Sequence, residues 1–106
     1  MARHDLPIKT TARFAAVLLS GCVSLDQAAP RVETFAAQPS GEIRVQLERG
    51  RTLYITKCAK CHSPEPVRKY SSFRWEDILQ EMNQEAKLDE TDARAVRAYV
   101  FAALRS

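Results

Sequence analysis

The run Cys58-Ala59-Lys60-Cys61-His62 sets two thiols three positions apart, with an imidazole directly after the second. Two sulfurs on one helical turn can reach the same ligand, and this C-x-x-C-H spacing is the attachment motif for c-type haem. Each thiol adds to one vinyl group of the porphyrin, giving two thioethers, and the Nε2 of His62 is placed to bind the iron from below. Covalent attachment prevents loss of the group, which suits a small domain outside the cytoplasm. Other chemistries use parts of the same run. A thioredoxin-like C-x-x-C belongs to a βαβ context, which the flanking sequence lacks. Structural zinc takes four ligands. A Cys58–Cys61 disulfide would leave His62 incidental.

Iron held by one histidine either stays open or takes a second ligand from the chain. Met/His ligation favours electron transfer and raises the potential, because the soft thioether stabilises ferrous iron. Met82 is the only methionine after the initiator and lies 20 residues beyond His62. That is enough chain to leave the histidine side and return over the other. Met82 also completes an apolar helical stripe, a common place for a core methionine. Lysine, water or an open position are the remaining outcomes.

The chain opens with Arg3, His4, Lys9 and Arg13, followed by the run FAAVLLSGC that ends at Cys22. A basic start before a short apolar run is the layout of a secretory signal, and the run is too short to span a bilayer. Its end, Leu19-Ser20-Gly21-Cys22, resembles the lipobox of bacterial lipoproteins. The resemblance implies cleavage after residue 21 and lipidation of Cys22 as the first mature residue. It places the protein on the periplasmic face of a membrane, where c-type haem is attached. Val23 stands where an aspartate retains enteric lipoproteins at the inner membrane, which favours the outer one. With His4 removed and Cys22 acylated, only Cys58, Cys61 and His62 remain for zinc, and a fourth ligand would be a carboxylate or come from another chain.

Of the 106 residues 45% are hydrophobic and 27% charged, which excludes collagen-like, purely coiled-coil and largely disordered chains. The net charge of +3 falls to +1 without 1–21, where Arg3, Lys9 and Arg13 face Asp5. Such a balance gives no electrostatic footprint for nucleic acid. Residues 22–41 mix Ala, Gln, Pro, Ser and isolated charges without a period. They read as a lipidated N-terminus and flexible tether, holding a domain roughly 25 Å from its lipid.

The domain is expected over 42–106. Ile43, Leu47, Gly50 and Tyr54 recur at helical spacing, and Trp75, Ile78, Leu79 and Met82 form a one-sided stripe capped by Ser71 or Ser72. Asp89 opens a third segment, in which Val96, Tyr99, Val100, Ala103 and Leu104 share a face. Nothing alternates at period two, so the expected fold is all-α, with three main helices around a covalently bound haem. A domain of 65 residues often needs a staple, and the haem would supply it.

Residues 42–106 resemble a small monohaem class I cytochrome c domain, through Cys58-Ala59-Lys60-Cys61-His62, the downstream Met82 and the flanking helices. The resemblance implies that Cys58 and Cys61 hold haem c and that His62 and Met82 are its axial ligands. It implies that Gly50, Tyr54 and Tyr99 form the family's glycine–aromatic crossing of the first and last helices. Pro64 or Pro66 would offer a backbone carbonyl to the histidine Nδ1–H, a bond that orients the ring and tunes its basicity. Met82 departs from the mitochondrial-type pattern, standing on or at the end of a helix rather than in an extended loop. A Trp followed by a Met seven residues later recurs in short bacterial cytochrome domains.

The expected function is that of a lipid-anchored carrier of single electrons between extracytoplasmic redox proteins. No nucleophile–base pair or carboxylate dyad suggests catalysis of its own. From Arg44 to Arg74 basic residues dominate, and the balance reverses from Trp75 to Asp92. The basic stretch would either steer acidic redox partners or form a solvated face neutralised by the acidic one. Two other classes stay open. Without Met82 on the iron the protein would be a five-coordinate haem sensor or peroxidase-like protein; without haem it would be a structural lipoprotein with a Cys58–Cys61 clip.

Overall fold

The computed structural model describes residues 24–58 and 63–106, and every regular element among them is helical. The chain enters through α1, a single turn over Leu25–Ala28. A capping box closes its start: the Ser24 hydroxyl accepts from the Gln27 amide, and the Gln27 side chain accepts from the Ser24 amide. A 3-10 turn, Val32–Thr34, follows, and then α2, Gly41–Thr56. A second 3-10 turn, Val67–Lys69, leads into α3, Ser72–Glu85, and α4, Glu90–Arg105, completes the order. Both later helices start on side-chain caps, Ser71 accepting from the Arg74 amide and Asp89 from the Asp92 amide. No helix of the described residues is long and apolar enough to cross a membrane.

The stripes expected from spacing become the core. On α2, Leu47, Gly50, Leu53 and Tyr54 are buried; on α3, Trp75 and Leu79; on α4, Ala95, Val96, Tyr99, Val100 and Ala103. Ile43, the first member of the α2 stripe, is instead 63% exposed. The helices α2 and α4 lie along each other and approach most closely at Gly50. A Cβ there would stand 2.0 Å from the carbonyl oxygen of Ala95 and 2.8 Å from the Tyr99 Cβ, so only glycine fits. Beside the crossing the Tyr54 and Tyr99 rings meet at 6.0 Å. Tyr54 reaches Trp75 at 6.1 Å, and Trp75 meets Tyr70 edge-on at 5.5 Å. α3 is fastened by the Trp75 indole, which donates to the Val67 carbonyl at 2.8 Å. A two-pronged Arg97–Glu76 pair, with both contacts at 2.6 Å, ties α4 to α3.

The tether expected over 22–41 is corrected by its described part. Ala28, Ala29, Pro30, Val32 and Phe35 are buried, and the Phe35 ring stacks on Tyr99 at 6.2 Å. Arg51 donates to the Ala29 carbonyl and to Asp26, each at 3.0 Å, and the Tyr99 hydroxyl donates to the Pro30 carbonyl at 2.7 Å. The packed body therefore includes the segment 24–35 as well as 42–106. The segment's apolar residues are spread over one helical turn, a 3-10 turn and extended links, so no single period betrays them. Tyr99→Phe keeps the ring and leaves the buried Pro30 carbonyl unpaired, a loss of about 1–3 kcal/mol. Thermal unfolding should drop by roughly 4–8 °C for each of those kcal/mol, and limited proteolysis should cut first within 24–35.

Candidate functional site

Helix α2 delivers Cys58 to the edge of the core. Its last turn closes when the amides of Lys57 and Cys58 both donate to the Leu53 carbonyl, at 2.8 and 3.1 Å. The Cys58 side chain is half-buried against the core cluster, and burial pushes its thiol above the ordinary cysteine value. Cys61 and His62 lie outside the described residues, as does Cys22. Their flanks do not. Beyond position 62 the chain has no regular structure as far as the second 3-10 turn, and the Tyr54 hydroxyl donates to the backbone carbonyl of Glu65. Residues 59–62 thus run between two fixed ends, Cys58 on the Leu53 carbonyl and the Pro64–Pro66 link on Tyr54.

Met82 sits on α3, one helical repeat beyond Trp75, half-buried against the same core cluster as Cys58. Ile55 lies in the last turn of α2 and Cys58 two residues past its end; Ile78 and Met82, four apart, share one edge of α3. All four are partly buried apolar side chains packed on the core, as are Tyr70 and Leu88. α2 and α3 meet through the Tyr54–Trp75 ring pair rather than along their lengths. The glycine–aromatic crossing expected of Gly50, Tyr54 and Tyr99 is present as geometry.

Sequence spacing gave no sign of two other polar residues. Arg51, counted with the basic stretch, is turned inward onto Asp26 and Ala29. Asn83, next to Met82, keeps its Oδ1 buried without a hydrogen-bond partner, beside a groove lined by Leu79, Glu90 and Arg94. The rest of the basic stretch is largely engaged within the chain. Arg49 pairs with Asp92 at 2.6 Å, Lys69 with Glu65 at 2.9 Å and Arg44 with Glu48 at 3.7 Å. Arg68 donates to the carbonyls of Ala103 and Ser106 at the end of α4, where a cation complements the helix dipole. Of these pairs, Arg49–Asp92 joins the basic stretch to the acidic one.

Burial pushes the phenols of Tyr54 and Tyr99 well above the ordinary tyrosine value. Their contribution to stability is fully present below the unfolded value of about 10. As pH rises above that, the unfolded chain releases these protons first, so stability falls on the way to the folded values. Denaturant midpoints should be steady from pH 7 to about 9 and drop steeply above about 10. Tyr54→Phe should make the drop shallower.

Comparison with protein-family models, with curated proteins and with solved structures finds no match in any of the three.

Proposed function

We propose that the protein is a lipid-anchored monohaem c-type cytochrome that carries single electrons between redox proteins outside the cytoplasm. The observation that carries this reading is the C-x-x-C-H run set at the end of α2, with Cys58 half-buried at the core edge and the chain on both sides of the run fixed. The described residues suit a haem. Ile55, Cys58, Ile78 and Met82 are apolar and only partly buried on the core, and the two helices they belong to or follow do not close along their lengths, so a flat apolar group bound beside them would deepen their burial.

In this reading Cys58 and Cys61 form the thioethers, His62 is the proximal ligand and Met82 the distal one. Haem c supplies a reversible one-electron couple. The protein's part is fixed geometry. The bond from Tyr54 to the Glu65 carbonyl holds the link that follows His62, and the bond from Trp75 to the Val67 carbonyl holds the start of the helix that carries Met82. Ligands whose flanking chain is held in this way would keep the same coordination in both oxidation states, so reorganisation on electron transfer would stay small. Cys22, acylated, keeps the carrier at the periplasmic face of a membrane, with the outer membrane favoured by Val23.

The test is the absorption spectrum, oxidised and reduced, of protein made in cells with c-type haem maturation. A low-spin c-type spectrum with the weak far-red band of methionine–ferric iron is expected. A high-spin c-type spectrum would remove Met82 from the iron and turn the protein into a ligand-binding or peroxide-reactive one. A colourless protein would overturn the reading.

A further inference from the structure

Only two steps of chain separate Cys22 from Ser24, and at Ser24 the protein is already built. Ser24 caps α1, the segment behind it buries Ala28, Ala29, Pro30, Val32 and Phe35, and Arg51 and Tyr99 hold the carbonyls of Ala29 and Pro30. Two steps of extended chain span at most about 7 Å. The polar layer on each side of a bilayer's hydrocarbon core is about 5–8 Å deep. A body so close to its acyl chain has no room to swing clear of the head groups.

We infer that the face made by α1 and the Val32–Thr34 turn rests on the bilayer that holds the Cys22 acyl group, so that the anchor sets the orientation of the domain as well as its address. The inference rests on the acylation of Cys22 proposed above. The face suits an interfacial position, with Leu25 46% exposed among the polar, exposed Ser24, Gln27 and Thr34. Its charges do not recruit anionic lipid. Asp26 and Glu33 outnumber Arg31, which pairs with both, and Asp26 also pairs with Arg51; a polybasic cluster is what such recruitment needs. The contact follows from the covalent anchor and is insensitive to salt.

The test places a nitroxide on Leu25→Cys in the acylated holoprotein, bound to phosphatidylcholine–phosphatidylglycerol vesicles. Thioethers at Cys58 and Cys61 and the acyl group at Cys22 leave position 25 as the single free thiol. Collisions with a water-soluble relaxation agent should be several-fold fewer than in the same variant carrying about twelve Gly/Ser residues inserted after Val23, which frees the body to move away. The difference should be the same in low and high salt. Equal accessibility with and without the insert, with the acyl mass present at Cys22, overturns the inference and leaves the anchor standing. Protein that lacks the acyl mass and stays in the aqueous phase overturns the anchor, and the inference with it.

Discussion

Gly50→Ala lowers the melting temperature of the protein by roughly 8–16 °C, at 4–8 °C for each kcal/mol of the net loss in a domain of this size. Elsewhere in a helix the same change gains up to about 1 kcal/mol, because alanine gives up less backbone entropy on folding. Here the added Cβ would stand 2.0 Å from the Ala95 carbonyl oxygen, 2.7 Å from its carbon and 2.8 Å from the Tyr99 Cβ. Backbone cannot rotate out of the way as a side chain can, so α2 and α4 must separate along the line where they bury Leu47, Tyr54, Val96 and Tyr99. Overpacking of this kind costs about 3 kcal/mol at the upper end of its range, which exceeds the propensity gain. Thermal melts followed by circular dichroism of the holoprotein measure it. A melting point at or above wild type would mean that the two backbones do not meet at Gly50.

Met82→Ala is expected to leave a folded protein with an altered spectrum. The side chain is half-buried, while Trp75 and Leu79 provide the buried face of α3, so truncation removes little of the packing that holds the helix. If Met82 is the distal ligand, the low-spin signature and the far-red band disappear. The potential then falls by a few tenths of a volt, within the range of about 0.8 V that axial ligation commands. Ile78→Ala is the matched control, since Ile78 lies on the same edge of α3 and is also partly buried. It should lower stability and leave the potential nearly unchanged. Redox titration of the two variants separates ligation from packing: equal, small shifts in both would place Met82 in the core alone.

The helical architecture was legible because its signals are local. The stripe from Trp75 to Met82 spans two turns and the caps at Ser71 and Asp89 a single turn each, and the structure uses both caps. Gly50 was legible for a different reason, as a glycine in mid-stripe has a purpose only where another backbone comes close. The N-terminal segment was not legible. Ala28, Ala29 and Pro30 are weak signals in any scale, and their burial depends on donors from Arg51 and Tyr99, distant in sequence. The same distance hides the fate of the basic stretch. Its excess charge is plain in the sequence, while the pairing of Arg49 with Asp92 and of Arg51 with Asp26 exists only once α2 is folded against its neighbours. At the candidate site the motif itself was plain. The two fastenings that flank it, Leu53 to Cys58 and Tyr54 to Glu65, come from backbone geometry and one hydroxyl.

Tyr99 serves two long-range closures of the domain, flanking the Gly50 crossing and holding the N-terminal segment at Pro30, 69 residues away in sequence. Contacts of such separation form late, because the entropy of closing a long loop is lost before any contact offsets it. If the chain is exported from its N-terminus, as proposed, they would have to wait for α4 to emerge. Until then the core that Cys58 packs against is incomplete, and in the proposed reading the thiols of Cys58 and Cys61 would stay within reach of an attachment enzyme. If haem is attached there, the order in which the fold closes would set the time available for chemistry at those sulfurs, and a variant that closed early would shorten it.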